Sequence, residues 1–306
     1  MGAADTDILI LLPLVYIIPT YILYIVELFT MFVNRSEMKF AGSFFNIWVS
    51  SAVNNLVCSI LYFLTFRGAK APALVGFYSI FPESGGFVTL ILFVVYCTGA
   101  AQVVLDLILC FNRFTVVWLE ARHVAFWKRY CKIFLFLAFL YPILTSWEAW
   151  FFDVRVLPVN ASDLTQGYNW VPINPGAIPW MPIPLIVSGT VVITSTLSFL
   201  MNCYVCWYLL KQKKNKNGKK AVSKHDTRLF LYNLLIFFTQ LVQLYLQFFV
   251  MDVNSLAPAW FILFMSSTLR TSIAEVFGNG KTPLSIITVH SINPNLHRRF
   301  KDLATG

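Results

Sequence analysis

The four histidines of this chain are the first candidates for chemistry, because imidazole is the side chain most suited to carrying protons and binding metals near neutral pH. They are scattered, at His123, His225, His290 and His297. An enzyme acting inside a membrane would need a serine with a histidine, paired aspartates or a histidine-rich metal site. The sequence contains no HExxH, GxSG or GxGD motif. We therefore expect no catalytic residue, no metal site and no cofactor, and the protein is predicted not to be an enzyme.

The segments of the chain that carry the other candidate side chains are strongly apolar. The chain is 58% hydrophobic and only 12% charged, whereas about 25% of the residues of a soluble domain are charged. The net charge of +9 comes from short basic clusters between apolar runs. That layout is typical of membrane loops and not of a nucleic-acid-binding groove. The six cysteines lie in or beside apolar runs, so no disulfide framework is expected. The composition predicts an all-α protein embedded in a lipid bilayer.

Apolar runs long enough to cross a bilayer, which takes roughly 20 helical residues, recur along the chain. Because hydrocarbon offers the backbone no hydrogen bonds, each run is expected to be a helix. The last run is interrupted by polar residues. It is either one long kinked helix over 257–292 or a crossing that begins at about residue 266. With the second interpretation, the predicted spans of a single seven-transmembrane domain are 8–33, 41–66, 87–111, 132–152, 183–210, 229–251 and 266–291.

Lysine and arginine are distributed unevenly between the two sides of these spans. The loops after the first, third and fifth spans and the C-terminal tail together hold 18 lysines and arginines, whereas the loops on the other side hold three. Basic loops stay in the cytoplasm, so we expect the N-terminus outside and the tail inside. The sequon "NAS" at Asn160 then falls in an external loop, where glycosylation is expected. Within 294–303, Leu296, Phe300 and Leu303 share one face, which predicts a short amphipathic helix on the inner leaflet.

Three segments carry a resemblance to a known family. They are "LVYIIPTYILYIVEL" in the first span, "FFNIWVSSAVNNLVCSILYFLTFR" in the second and "NRFTVVW" at the end of the third, with Trp127-Lys128 nine residues later. Together they resemble the nematode serpentine chemoreceptors of class gamma, most clearly over the first half of the chain. The resemblance implies a G-protein-coupled receptor that binds a small-molecule odorant or pheromone and activates a heterotrimeric G protein. It also implies a multi-pass protein of the plasma membrane, of sensory cilia in particular.

Arg113 lies at the cytoplasmic end of the third helix and follows Asn112. The resemblance implies that this pair meets the G protein when the bundle opens. Asp226, at the start of the sixth span, is a candidate partner for Arg113 in the resting state. The alternative is an arginine that merely anchors the helix end by extending its guanidinium to the interface. Asn112-Arg113-Phe114 departs from the acid, arginine, tyrosine triplet of rhodopsin-like receptors, so the switch of those receptors is not transferred.

A ligand pocket is expected among the outer halves of the third, fifth, sixth and seventh spans. Gln240, Gln243 and Gln247 share one face of the sixth span, and they either face a pocket or bond neighbouring helices. Tyr96 and Trp147 are candidate aromatic walls, although aromatic residues are common throughout the chain. The proline-rich loop over 153–181 is expected to form a stiff cap over the pocket.

Two carboxylates inside apolar runs are functional candidates because ionisable groups within lipid are costly. Glu27 either has such a role or reaches the interface. Asp106 lies seven residues before Arg113 and shares its helix face, roughly 10 Å away along the axis. A transporter or ion channel is the alternative function, because "GNGK" from Gly278 resembles a broken helix of the kind that coordinates substrates. Repeated halves, which that alternative usually requires, are not visible in the sequence.

Overall fold

Long helices make up most of the part of the chain that the structure describes. The computed structural model describes residues 12–35, 42–173, 183–214, 235, 258–264 and 266–278. The predicted sixth span apart from residue 235, the end of the seventh and the amphipathic helix lie outside these residues. Within them the helices are α1 (Leu14–Val33), α2 (Ser43–Tyr62), α3 (Gly86–Leu119), α4 (His123–Ser146), α5 (Ile183–Lys214) and α6 (Ser267–Gly278).

The first five of these helices occupy the first five predicted spans. Four stretches of the described chain are long and apolar enough to cross a membrane, and the third of them contains both α3 and α4. They are Leu14–Val33, Ser43–Lys70, Gly86–Phe151 and Leu185–Tyr208. The mostly helical architecture expected from the apolar runs is therefore confirmed for this part of the chain.

The helix ends differ from the predicted span limits. α3 continues past Phe111 to Leu119, and α4 begins at His123. Residues 112–131, expected to form a basic loop, are therefore mostly helical. Hydropathy marks where a chain leaves hydrocarbon, but a helix continues into water until something breaks its backbone. Here the break is Glu120, which has a φ of 44°.

The predicted seventh span is helical on both sides of residue 266. Residues 258–264 are helical and α6 follows from Ser267. The amide of Ser266 donates to the carbonyl oxygen of Ile262 at 2.8 Å, so the helical bonding continues between the two parts. The helical backbone thus begins by residue 258. It packs on α1, where Trp260 Nε1 donates to Thr20 Oγ1 at 2.8 Å.

α3 is the central element of the described bundle, since it packs against α2, α4 and α5. The main buried core joins α2, α3 and α4 with α1 and α6 through Tyr24, Trp48, Leu105, Trp127 and Leu269. Trp48 and Trp127 are 1% exposed, so both indoles are fully inside the protein. Burying side chains of this size is worth a few kcal/mol each in water, and in lipid the same packing is driven by van der Waals contact.

One end of the bundle carries a β-hairpin, which departs from the expected all-α fold. β1 (Val154–Pro158) pairs antiparallel with β2 (Tyr168–Pro172), with Val156 opposite Trp170. The side chains of Val154 and Val156 are buried while Arg155 between them is exposed, so one face of the hairpin packs inward. We call this the hairpin end of the bundle, and the end that carries Arg113 the Arg113 end.

The hairpin end is held together by tight packing against the segment after α2. Tyr78 stacks on Tyr168 with ring centroids 6.0 Å apart, and its hydroxyl donates to the carbonyl oxygen of Leu64. Burial raises the pKa of Tyr78 to about 12. Gly167 has a φ of +78° and lies against the backbone of Ala69 and Lys70. The described cysteines form no disulfide, and this cap is held by packing together with hydrogen bonds such as that from the Val156 amide to the carbonyl oxygen of Glu83, at 2.8 Å.

Candidate functional site

Two consecutive residues of α3 contact two consecutive residues of α2 at the Arg113 end. Asn112 Nδ2 donates to Ser43 Oγ at 2.9 Å, and Asn112 is 1% exposed. The guanidinium carbon of Arg113 lies 3.8 Å from the centroid of the Phe44 ring. A cation over an aromatic face contributes about 0.5–2 kcal/mol, depending on how far it is removed from water. The pair of residues predicted for G-protein coupling therefore fastens the first turn of α2 to α3.

A second set of contacts joins α3 to α4 one turn further along. Trp127 Nε1 donates to Thr115 Oγ1 at 2.7 Å, and Thr115 Oγ1 donates to the carbonyl oxygen of Asn112 at 2.8 Å. His123 Nδ1 lies 3.2 Å from the same hydroxyl. Thr115 and Trp127 are 0% and 1% exposed, so neither group can exchange its partner for water. The Arg113 end is thus a continuous polar network across three helices.

The interior of the bundle contains a second group of polar side chains from α1, α2 and α3. Asn55 Nδ2 donates to the Tyr24 hydroxyl at 3.3 Å. The phenol of Tyr24 also interacts electrostatically with the carboxylates of Glu27 and Asp106. All four residues are buried, and Glu27 is 0% exposed. We call Tyr24, Glu27, Asn55 and Asp106 the interior polar cluster. Glu27 therefore does not reach the interface, which was one of the two interpretations of its position.

A groove of about 700 Å³ lies between α3, α4 and α5. This volume is within the range of small-molecule sites, about 300–1,000 Å³. Apart from three hydroxyl-bearing residues, its walls are apolar: Val104, Leu107, Ile108, Phe111, Phe134, Leu137, Ala138, Ile193, Leu197 and Met201. Leu137 and Ile193 are exposed, so the groove is open on its outer side.

The polar side chains of the groove are Tyr141, Thr190 and Thr194. Thr190 donates to the carbonyl oxygen of Ile186 at 2.8 Å, so the Tyr141 hydroxyl must be the donor in its 2.5 Å contact with Thr190. Thr194 donates to the carbonyl oxygens of Thr190 and Val191. All three hydroxyl protons are therefore engaged, and the groove offers a ligand oxygen lone pairs but no donor from these groups.

The residues predicted to line the ligand pocket are placed only in part. Tyr96 of α3 packs under the hairpin-end core, whereas Trp147 lies just after α4. Trp147 is 39% exposed and meets Phe151 edge-on, with ring centroids 5.6 Å apart. Neither residue lines the groove. The glutamine stripe at Gln240, Gln243 and Gln247 and the predicted Arg113 partner Asp226 lie outside the described residues.

Asn160 lies in the turn between the two strands of the hairpin. Its Oδ1 accepts hydrogen bonds from the amide of Ser162 at 3.0 Å and from Ser162 Oγ at 2.7 Å. In the same turn Asp163 accepts from the hydroxyl of Thr165, from Gln166 Nε2 and from the amide of Thr165. These hydrogen bonds stabilise the ionised form and hold the pKa of Asp163 below its ordinary value.

Three of the residues that form the Arg113 end could not be identified from the sequence. Ser43, Phe44 and Thr115 are ordinary residues of apolar helices, and nothing in their local sequence distinguishes them. Asn112 and Trp127 stand out in the sequence because they flank the basic segment between the third and fourth spans. Which side chains they contact could not be predicted from the sequence. The groove was likewise not predicted, because its walls are the same aliphatic residues that face lipid elsewhere.

Comparison with known proteins agrees with this architecture. The family model described as Srg family chemoreceptor matches residues 10–273. That range covers α1 to α5 and extends into α6. No curated protein matches the chain. The match covers far more than half of the 306 residues, and the apolar helices agree with a membrane receptor. The chain is a membrane protein and belongs to the Srg family of chemoreceptors.

Proposed function

We propose that this chemoreceptor is a seven-transmembrane G-protein-coupled receptor that binds a small-molecule odorant or pheromone outside the cell and activates a heterotrimeric G protein inside. The family match over residues 10–273 is the observation that carries the proposal. The five long helices α1 to α5 coincide with the first five proposed spans, and the helical residues from 258 onward support a further span near the end of the chain. The plasma membrane, and sensory cilia in particular, is the proposed location.

The orientation follows from the charge bias. Eighteen lysines and arginines gather on the side of the Arg113 end and the C-terminal tail, against three on the other side. Basic segments are retained in the cytoplasm. The Arg113 end is therefore proposed as cytoplasmic and the hairpin end as extracellular, with the N-terminus outside. The position of Asn160 in the hairpin turn supports this, since a glycan there would project away from the bundle.

The Arg113 end is proposed as the G-protein-coupling surface. In the resting receptor, Asn112 and Arg113 hold the first turn of α2 through Ser43 and Phe44. When the bundle opens, these contacts break and the freed guanidinium binds the G protein. Asp226 remains the proposed second partner of Arg113 in the resting state. An arginine bound to an aromatic face can be released at a cost of about 0.5–2 kcal/mol, which a ligand can supply.

The ligand is proposed to bind toward the hairpin end. Tyr96, Trp147, Gln240, Gln243 and Gln247 are the proposed contacts there. The groove between α3, α4 and α5 is a separate candidate place for the ligand, since neither Tyr96 nor Trp147 lines it, and it suits an apolar ligand because its walls carry no charged side chain. A hydroxyl on the ligand would donate to the Tyr141 oxygen, whereas a carboxylate would meet acceptors only.

The test is a signalling assay in cells that express the full chain. Panels of odorants and pheromones are applied with and without an inhibitor of the G protein, and Arg113→Ala is compared with Arg129→Ala, an arginine outside the Arg113–Phe44 contact. We expect inhibitor-sensitive responses that Arg113→Ala abolishes at unchanged surface expression and that Arg129→Ala retains. Ligand-evoked currents that the inhibitor leaves intact would instead identify a channel.

Sidedness has a separate test. Treatment of the expressed protein with a glycosidase should shift the mobility of the wild type and not that of Asn160→Gln. An epitope tag at the N-terminus should be accessible in unpermeabilised cells. If antibodies reach that tag only after permeabilisation, the proposed orientation is wrong.

A further inference from the structure

The groove between α3, α4 and α5 is long and follows the direction of the helices. Its lining residues on α5 run from Thr190 to Met201, which is roughly 16 Å of helix at about 1.5 Å per residue. The hydrocarbon of a bilayer is about 30 Å thick, so the groove extends over about half of that depth. With a volume of about 700 Å³, it has room for an elongated molecule that lies along the helices.

The open side of the groove faces the surface that lipid would cover. All of the described lining residues belong to Gly86–Phe151 and Leu185–Tyr208, two stretches that are long and apolar enough to cross a membrane. Leu137 and Ile193 of the walls are exposed, and so is Phe136 beside them. Apolar side chains that are exposed within a crossing segment contact lipid tails. A molecule dissolved in the hydrocarbon can therefore reach the groove directly.

One polar pair lies inside this apolar groove. The Tyr141 hydroxyl contacts Thr190 Oγ1 at 2.5 Å. Tyr141 lies ten residues before Phe151, and Thr190 lies seven residues after Ile183, so roughly 10 Å or more of helix separates the pair from the hairpin end. The headgroup of a phospholipid stays at the surface of the bilayer and does not reach this depth. A molecule that uses the pair must carry its own polar group within the hydrocarbon.

The pair accepts hydrogen bonds and donates none to a ligand. Thr190 donates its proton to the carbonyl oxygen of Ile186 and Tyr141 donates its proton to Thr190, so the Tyr141 oxygen offers only lone pairs. The oxygen of an ether, ketone or ester would meet another acceptor. An ammonium or a carboxylate would lie in hydrocarbon without a counter-charge, because the described residues that line the groove include no charged side chain. A neutral hydroxyl group is the chemical match.

We propose that this groove is a binding site for a neutral aliphatic alcohol that is dissolved in the bilayer. The hydroxyl of the alcohol donates to the Tyr141 oxygen, and its chain lies along the aliphatic walls toward Met201. The site is separate from the proposed contacts at Tyr96 and Trp147, neither of which lines the groove. Its meaning as a receptor site rests on the proposed function, whereas the binding itself does not.

The experiment is photolabelling of the purified full chain in lipid nanodiscs, because detergent would compete for an apolar groove. The probe is decanol with a diazirine in its chain, and the labelled residues are identified by mass spectrometry of peptides. The competitors are unlabelled decanol and decyl methyl ether. The ether keeps the chain and the oxygen but has no proton to donate. Each competitor is measured as its mole fraction in the membrane, so that differences in partitioning do not enter.

Two substitutions test the site, each with a matched control. Leu137→Trp fills the groove, whereas Leu144→Trp places the same ring two turns further along the same face of α4, at an exposed leucine that does not line the groove. Thr190→Val removes the acceptor of the Tyr141 proton, which then becomes free to donate to a ligand oxygen. Its control is Thr196→Val, the same change at an exposed threonine of α5 outside the groove.

We expect the wild type to be labelled at groove residues and the label to be displaced by decanol at a lower mole fraction than by the ether. The difference should be roughly two- to twelvefold, which corresponds to one hydrogen bond. This ratio should fall toward one in Thr190→Val and keep its wild-type value in Thr196→Val. The label should be lost in Leu137→Trp and retained in Leu144→Trp. If Leu137→Trp does not accumulate, Leu197→Trp takes its place, since Leu197 is another exposed wall residue.

An unlabelled groove would overturn the proposal, and so would a wild type in which decanol and the ether displace the label equally well. A phospholipid with a diazirine in its acyl chain is a further probe. If it labels the groove and decanol does not displace it, the occupant is a lipid chain and the alcohol site is wrong. Labelling needs no G protein, so a chain that binds decanol without signalling would contradict only the receptor function, and an unlabelled groove would contradict only this site.

Discussion

Removing the Thr115 hydroxyl should expose how strongly α3 and α4 are coupled. In Thr115→Val the side chain keeps its shape, but Trp127 Nε1 loses the acceptor that it contacts at 2.7 Å. Trp127 is 1% exposed, so water cannot replace that acceptor. A buried donor left without a partner costs about 1–3 kcal/mol. The other contacts of the hydroxyl add little, because the Asn112 carbonyl also belongs to the helix ladder and His123 is half-exposed to solvent.

The magnitude can be isolated by a double-mutant cycle. Trp127→Phe removes the donor, although it also shrinks a ring that packs 5.8 Å from Phe111 and 5.3 Å from Phe134 between centroids. That packing loss is the same with threonine or valine at position 115. In the double variant Thr115→Val/Trp127→Phe the indole N–H is gone, so no buried donor is left without an acceptor. The two changes together should therefore cost about 1–3 kcal/mol less than the sum of the single changes.

The assay is the free energy of unfolding of the four proteins in mixed micelles, obtained by chemical denaturation. Thr115→Ser is the control, because it retains Oγ1 and loses only one methyl group, worth about 0.8 kcal/mol. Coupling of α3 and α4 through this hydrogen bond is refuted if the single changes add within about 0.5 kcal/mol, which is the behaviour of independent sites. It is equally refuted if Thr115→Ser is as destabilising as Thr115→Val.

Three further outcomes follow from the contacts. Phe44→Leu should raise ligand-independent signalling by up to about thirtyfold, because Arg113 loses an attraction of about 0.5–2 kcal/mol; unchanged basal activity would remove this contact from the resting state. Gly167→Ala should lower the melting temperature while Gly76→Ala does not, because a Cβ at Gly167, at a φ of +78°, would meet the backbone of Ala69 and Lys70, whereas one at Gly76 would meet nothing within 4 Å. The turn around Asp163 should be protected from amide hydrogen exchange above the ordinary aspartate pKa, and it should lose that protection as pH falls through the lowered pKa of Asp163 in the folded protein. In Asp163→Asn the exchange rate of the turn, corrected for the intrinsic pH dependence of exchange, should stay constant across that range.

The location of the first five helices could be predicted from the sequence, because lipid requires both apolar side chains and a closed backbone. The ends of the helices could not be predicted, since the eight residues from Asn112 to Leu119 suit a helix in water as well as at the interface. The hairpin was also missed, although its signal was present. Val154 and Val156 alternate with Arg155 as a half-buried strand requires, but the nearby prolines favoured an irregular cap.

The candidate site, like the fold, could be predicted only in part. A charge within an apolar run is conspicuous, so Glu27, Asp106 and Arg113 could be identified from the sequence. Their partners could not, because a contact such as that between Arg113 and Phe44 depends on the packing of helices far apart in the chain. An aromatic partner is particularly difficult to predict in a protein that contains 29 phenylalanines.

α3 connects three features of the proposed function within fewer than three helical turns: the groove, the interior polar cluster and the contact with α2. Its residues Val104 and Phe111 line the groove, Asp106 belongs to the interior polar cluster, and Asn112 holds α2. A packed helix moves as a rigid body over such a length, so a ligand that displaces α3 at the groove also displaces Asn112. The bond from Asn112 to Ser43 is 2.9 Å long, and a shift of about 1 Å would carry it beyond the limit of a hydrogen bond. A small movement at the groove is therefore sufficient to release the first turn of α2, with no need for a separate relay between the two sites.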